Sequence, residues 1–384
     1  MWLKSASSNS VIIYLMGLSL TGIAEQLKNN NKKVQLIYAF NGVGKTRLSR
    51  EFKELVNPKH SEEENNSPIK FLYYNVFTED LFVWDNDLDG DENRKIIIQP
   101  NNFTNLAFGF LKEQGQDGNI ANHFKHYTHS SITPKINDDF SEVTFSILRG
   151  GDDSINNIKI SKVEESNFVW CVFYSLIEQI VEVLNIADAN DRSTNDFDHL
   201  EYIFIDDPVT SLDENHLIEL AVDLAQLIKN SKSEVKFIIT THNPLFYNVL
   251  YNELDLKNGY MLELQDDNTY KLTEKKGDSN KCFSYHLFLI QTIKKAIDSN
   301  NVQKYHFILL RNLYEKTANF LGYPKWSELL PDDKKLYYNR IIQFTSHSTL
   351  SNEIVAEPTE PEKQTVKFLL NHLINNKYYK ESSK

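Results

Sequence analysis

Cysteine is almost absent from this chain: Cys171 and Cys282 are the only two in 384 residues. They lie far apart and have no His or Cys neighbours at ligand spacing, so neither a disulfide framework nor a structural zinc site is expected. A reducing compartment is the default. Glycine (13) and proline (10) are scarce, and 41% hydrophobic with 24% charged residues excludes collagen-like and disordered chains. The apolar stretch Val11–Ala24 has 14 residues, too few for the ~20 of a spanning helix, and no transporter-like set of membrane segments is present. Internal repeats, low-complexity tracts and sustained heptads are missing too. Arginine occurs seven times.

Positive charge is in deficit, with 41 Lys+Arg against 53 Asp+Glu and a net charge of −12. Taken whole, that argues against a generic phosphate binder. The deficit is uneven, however. Asp266–Lys384 holds 18 basic and 14 acidic residues, a net of +4, which leaves 23 and 39, a net of −16, for residues 1–265. Two bodies with different partners are expected, divided near Asp266.

The front part reads as α/β. Strand-like runs are Lys33–Phe40, Ile69–Phe77, Glu201–Asp207 and Val235–His242, and helical periodicity marks Ser166–Ala187 and Asn215–Asn230. Buried apolar strands alternating with helices imply a largely parallel sheet. After about Tyr260 the periodicity is helical, and a mostly α-helical domain is expected from residue 266. Val11–Ala24 reads as a short element packed on the first domain. Asp85–Arg94 could pass for a calcium loop but lacks the EF-hand spacing and the closing Glu, so it reads as a solvated acidic loop.

The run Ala39–Thr46 (AFNGVGKT) follows a strand and precedes a helix, the context of a phosphate-binding P-loop. Asn41, Gly42, Val43 and Gly44 would turn backbone N–H groups towards phosphate oxygens. Lys45 would reach the β- and γ-phosphates, Thr46 would offer its hydroxyl to Mg²⁺, and the helix dipole would add to the attraction. Ala39 stands where the motif usually has its first glycine. Further motifs follow in the order of an ABC-type ATPase. In YIFIDD, Asp206 suits the Mg²⁺ shell and Asp207 the carboxylate that polarises water. PVTSLD brings Ser211 and Asp213 in a D-loop-like segment, and FIITTH puts His242 at a strand end, where a switch histidine meets the γ-phosphate. The signature motif is the weak member: in ISKVEES, Ser161 and Glu164 fit, but Lys162 and Val163 replace two glycines. In such ATPases Ser161, Glu164, Ser211 and Asp213 would contact nucleotide held by a second subunit. About 115 residues separate Thr46 from Ser161, too few for a long coiled-coil ATPase.

The back part has no metal cluster, no Ser/His/Asp series and no GxSxG. In LLRNLYEKTANFL, Leu310, Leu313, Tyr314 and Leu321 form an apolar stripe, with Arg311 and Glu315 four apart beside it. His347 sits in the polar run TSHSTLSNE. With these residues the chain closely resembles the PrrC-type anticodon nucleases, along nearly its whole length. The resemblance includes VQLIYAFNGVGKTRLSREFK, YYNVFTEDLF, FIDDPVTSLDENHLIELAV, KKGDSNKCFSYHL and the block YHFILLRNLYEKTANFLGYPKWSELLPDDKKLYY with FTSHSTLSNE.

The resemblance implies an ABC-type P-loop ATPase domain, residues 1–265, joined to a helical nuclease domain, residues 266–384. Residues 1–15 would be an upstream extension or a misplaced start, because relatives begin at the position of Met16. It implies cleavage of the anticodon loop of lysine tRNA by Arg311, Glu315 and His347, with Asp278 reading the anticodon. Arg311 would clamp the phosphate, while Glu315 and His347 act as base and acid or the reverse. It also implies ATP or GTP with Mg²⁺, dTTP as a second regulatory nucleotide, a homodimer or higher oligomer, and a cytoplasmic antiviral role. A type I DNA restriction–modification complex would hold the enzyme latent, and no membrane is implied. Two alternatives stay open. One is an ABC-type ATPase whose effector cuts DNA or other RNAs, although the Arg–His spacing of HEPN ribonucleases is absent because Lys316 fills that slot. The other is a non-catalytic, nucleotide-switched DNA sensor.

A β-branched Val163 where a backbone must approach phosphate predicts slow nucleotide turnover. Steady-state hydrolysis below ~10 s⁻¹, the enzyme median, is expected, and a rate well above it contradicts the reading.

Overall fold

The computed structural model describes residues 17–58, 68–75, 80–90, 92–148, 154–208, 214–265, 267–276, 285–345 and 358–375. Two compact units divide the chain, residues 1–277 and 278–384.

The first unit opens with helix α1 (Leu20–Lys28), strand β1 (Val34–Tyr38) and helix α2 (Lys45–Val56). Strands β2 (Phe71–Tyr74), β8 (Tyr202–Asp206), β9 (Lys236–Thr241), β10 (Asn258–Leu264) and β11 (Tyr270–Lys276) join β1 in a six-stranded sheet of order β11-β10-β1-β9-β8-β2. Every neighbouring pair is parallel except β10–β11. Parallel neighbours need crossover elements, which helices α6 (Glu214–Asn230) and α7 (Pro244–Glu253) provide after β8 and β9. The inner strands are buried on both faces: Ile203, Phe204, Ile205, Ile238 and Ile239 are fully enclosed, as continuous apolar runs in a covered sheet should be. Leu48 and Phe52 of α2 pack on this sheet together with Leu20, Ile23, Ala24 and Leu27 of α1. The described part of the apolar N-terminal stretch is therefore a packed element.

A second sheet is entirely antiparallel and was not legible in the sequence. Strands β3 (Phe82–Asp85), β4 (Lys95–Ile98), β5 (Ile132–Ile136) and β6 (Glu142–Leu148) run in the order β3-β4-β6-β5, and β7 (Ser154–Ile155) pairs with β6. Helices α3 (Asn102–Glu113), α4 (Asp117–Thr128) and α5 (Lys162–Leu184) bring Phe108, Phe124 and Phe168 against Phe82 and Phe145 of this sheet. Helix α5 is long and apolar enough to cross a bilayer, but 83% of its most apolar window is buried inside the protein. In the acidic loop Asp87 accepts hydrogen bonds from the N–H groups of Gly90, Glu92 and Asn93, so its carboxylate closes the loop on itself.

The second unit is helical throughout its described residues. Helices α8 (Tyr285–Asp298), α9 (Lys304–Leu321), α10 (Lys334–Thr345) and α11 (Glu360–Leu373) surround a core that includes Leu289, Ile293, Leu310, Leu313, Tyr314, Leu369 and Leu373, with a short 3₁₀ turn at Trp326–Leu329. The buried Tyr314 hydroxyl donates to the Leu369 carbonyl at 2.9 Å. The division falls after Gly277, later than the expected Asp266, because β11 pairs along its length with β10 and so completes the first unit's sheet.

Trp84 of β3 donates its indole N–H to the buried Glu165 carboxylate of α5 at 2.7 Å. Trp84→Phe removes that donor and leaves the carboxylate to Lys162, whose ammonium lies 2.8 Å away. A loss of about 1–3 kcal/mol is expected, read from the urea unfolding midpoint; an unchanged midpoint contradicts it.

Candidate functional site

In this parallel sheet the carboxyl ends of β1, β9 and β8 lie side by side, the usual place for a ligand in an α/β unit. The P-loop leaves β1 and enters α2. Gly42 and Gly44 adopt φ of +81° and +109°, left-handed values that a side chain would strain. Gly44 is the N-cap of α2 and offers no side-chain cap, so the first N–H groups of the helix remain available to an anion. Ala39 is fully buried in the core cluster of α1 and α2. Its methyl is thus absorbed by packing where a glycine is usual.

Lys45 is 8% exposed. Its ammonium donates to the Ala39 carbonyl (3.3 Å) and to Asn41 Oδ1 (3.2 Å), and lies 3.4 Å from Asp207 Oδ2. Asp207, also in the left-handed region at φ +55°, meets His242 Nδ1 at 2.5 Å and accepts from the Thr241 hydroxyl. Burial works to raise the Asp207 pKa, but the bond from His242 and the Lys45 charge outweigh it and hold the carboxyl below its usual value. Asp206 behaves oppositely. Burial pushes its pKa up, only partly countered by hydrogen bonds from Thr240 and Thr46.

The Thr46 hydroxyl lies 2.7 Å from Asp206 Oδ2. Two hard oxygen donors at that separation suit adjacent positions around Mg²⁺, whose ~2.0–2.1 Å ligand bonds set an octahedral edge of about 2.9 Å. Asn41, Lys45, Thr46, Asp206, Asp207 and His242 thus lie together at the carboxyl ends of β1, β8 and β9. Thr240 and Thr241, which fix the two carboxylates, were missed; their signal was the hydroxyl pair just before His242 in FIITTH.

Ser161 and Glu164 are occupied with each other. Ser161 is the N-cap of α5, its hydroxyl accepts from the Glu164 N–H at 3.3 Å, and Glu164 accepts from the Ser161 N–H at 2.7 Å. This capping box gives both residues a local task. Val163 stands exposed in the same turn. Ser211 and Asp213 lie outside the described residues, as do Asp278 and His347.

In the second unit Arg311 Nε donates to Glu315 Oε1 at 2.6 Å, with both side chains one-third exposed. An i,i+4 ion pair of this kind contributes only about 0.3–0.5 kcal/mol, so stability gives little reason for it. Glu315 also lines a cleft of about 690 Å³ shared with Trp326 and Tyr338.

The sequence is 60% identical, over 385 residues, to a protein of Escherichia coli named anticodon nuclease; the match covers 94% of this chain and 97% of that protein. No family model matches. Among solved structures, an SMC head bound to the C-winged helix domain of ScpA aligns with a TM-score of 0.34 at 12% identity, over 65% of this chain and 91% of that chain. The SMC head domain from Thermotoga maritima gives 0.28 at 14% identity, over 64% and 91%. Scores this low carry no argument.

The two aspartates predict opposite pH behaviour. The depressed pKa of Asp207 means that its pairing stabilises the fold above the ordinary carboxylate range, ~3.9, and that this contribution is lost as pH falls through the lower folded value. Asp207→Asn should therefore be less stable than wild type at pH 7, and the gap should close in acid. The raised pKa of Asp206 is a penalty on its ionised form, present above the folded value and relieved as pH falls. Asp206→Asn should leave the protein no less stable than wild type at pH 7. Urea and thermal unfolding across pH decide both, and equal pH profiles for the two variants contradict the assignment.

Proposed function

The chain belongs to the anticodon nuclease family and is an endoribonuclease, and from that premise we propose that it cuts the anticodon loop of lysine tRNA under the control of a nucleotide bound at Lys45, Thr46 and Asp206. The likeness to the Escherichia coli protein, which runs through both compact units, carries this reading. The Arg311–Glu315 pair, held on one face of α9, supports the assignment of the reaction centre.

The chemistry is transesterification without a metal. The ribose 2′-oxygen attacks the adjacent phosphorus, the P–O5′ bond breaks, and the 2′-hydroxyl proton passes to a base. A second group protonates the departing 5′-oxygen, leaving a 2′,3′-cyclic phosphate and a 5′-hydroxyl. Glu315 is assigned as base, His347 as acid and Arg311 as the cation on the phosphorane; Glu315 and His347 can exchange roles without altering the balance. Arginine suits this place because its planar fork matches two phosphate oxygens at once. Asp278 is assigned to anticodon recognition through hydrogen bonds accepted from an amine on a modified base.

ATP or GTP with Mg²⁺ is the ligand of the first unit, and dTTP is assigned as a second regulatory nucleotide. Two copies pair head to tail, with Ser161, Glu164, Ser211 and Asp213 facing the partner's nucleotide. A type I DNA restriction–modification complex in the cytoplasm holds the enzyme latent until a phage disturbs it. These assignments rest on the family resemblance, and the donor set at Thr46 and Asp206 supports the Mg²⁺ among them.

Arg311→Ala, Glu315→Gln and His347→Ala should each lower cleavage of lysine tRNA by at least about 10²-fold, the lower end for general acid–base catalysis. Sequencing the cut tRNA and analysing its ends should show one break in the anticodon loop with a cyclic phosphate. Wild-type rates in the variants, or broad RNA degradation, overturn the proposal.

A further inference from the structure

The cleft beside Glu315 has a composition that neither the nucleotide site nor the proton-transfer chemistry uses. Lys325, Lys334 and Lys335 line it, and none of the three has an ion-pair partner among the described residues. Trp326 stacks on Tyr338, with ring centroids 5.2 Å apart and planes inclined by 23°. Trp326 in turn packs edge-on towards Tyr314 at 6.3 Å, which ties the stack to the core through the helix that bears Arg311 and Glu315. Tyr338 remains 39% exposed, so the stack ends in an accessible ring. The accessible ring and the three lysines thus face the same cleft as Glu315. Asp332 and Asp333 line a neighbouring hollow, which shares Lys334 and Lys335.

Aromatic faces combined with unpaired cations are the chemistry that holds single-stranded nucleic acid, because only an unpaired base offers a free face for stacking. At about 690 Å³ the cleft falls within the ~300–1,000 Å³ of small-ligand sites. We propose that it is a subsite for one unpaired nucleotide flanking the cut phosphate, its base stacked on Tyr338 and Trp326 and its phosphate held by Lys325, Lys334 and Lys335. This rests on the ribonuclease reading above and deepens it: the cleft selects an extruded loop nucleotide, and Glu315 at its wall places the scissile linkage next to the base it recognises.

The test uses the full-length chain and an anticodon stem-loop RNA, with a fully paired RNA of equal length as control. Binding is measured in a Glu315→Gln background, and kcat and KM in the otherwise wild-type enzyme. Tyr338→Ala should weaken stem-loop binding about tenfold and raise KM more than it lowers kcat. Lys334→Ala with Lys335→Ala should flatten the dependence of log affinity on log salt by roughly 0.7 for each phosphate that is no longer neutralised. Stem-loop RNA should quench tryptophan emission, and Trp326→Phe, which keeps a ring against the core, should remove most of that quenching while restoring most of the affinity that Trp326→Ala removes. If the Glu315→Gln protein binds the stem-loop no better than the duplex, the ribonuclease reading itself fails. If it does bind the loop selectively but the Tyr338, Trp326 and lysine variants match wild type in KM, quenching and salt slope, the subsite alone is overturned.

Discussion

One buried carboxylate organises the first unit. Asp207 leaves the end of β8 with Lys45 on one side, from the helix after β1, and His242 on the other, from the end of β9. The ammonium and the carboxylate are 8% and 9% exposed, so neither relies on water for its solvation. Removing one partner of such a pair leaves a buried charge uncompensated, at a cost of about 3–5 kcal/mol. The parallel order β1-β9-β8 is what brings the three groups to one edge, and the left-handed backbone at Asp207 turns its side chain between them. Lys45 and His242 are the groups assigned to meet phosphate. In this structure both are directed at Asp207.

The neighbouring carboxylate shows why the two aspartates cannot be treated as equivalent. Asp206 has hydroxyls about it, from Thr46 and Thr240, which solvate a charge without neutralising it, and burial therefore raises its pKa. The sequence shows the pair only as DD; its division into a salt-bridged member and a hydroxyl-lined member emerges from the partners that α2 and the end of β9 bring to each.

The parts legible in the sequence are those whose signal is local. Continuous apolar runs marked β1, β8 and β9, and the loop between β1 and α2 carried its own spacing. The second sheet was missed because its strands are short and mixed: in β3 the buried Phe82 sits beside the exposed Val83, and the buried faces of β5 and β6 pair through register that no single segment reveals. Strands β10 and β11 escaped for a related reason. Tyr260 and Leu262 are buried while Leu264 is 44% exposed, and the polar run KLTEKK reads as surface until its pairing with β10 is seen. Ser161 and Glu164 show the converse: a motif at signature spacing is also a capping box, a second task that the spacing does not reveal.

The charge asymmetry leads to the same distinction between composition and placement. A net of +4 across residues 266–384 is small, yet the cleft at Glu315 concentrates three lysines around an aromatic stack, so local field rather than net charge sets what it attracts. Helix α9 makes that concentration possible by being two-faced. Leu310, Leu313 and Tyr314 are fully buried, whereas Arg311 and Glu315 stay one-third exposed. A step of one residue along an α-helix turns the side chain by about 100°, so any rotation of α9 that displaced Arg311 and Glu315 would drive a charge into the core or withdraw a leucine from it. The Tyr314 hydroxyl, bonded to the Leu369 carbonyl of α11, opposes the same rotation from the buried side. The orientation of the proposed reaction centre is therefore fixed by apolar burial and one hydrogen bond behind it, and the weak ion pair in front has only to align two side chains that the core has already placed.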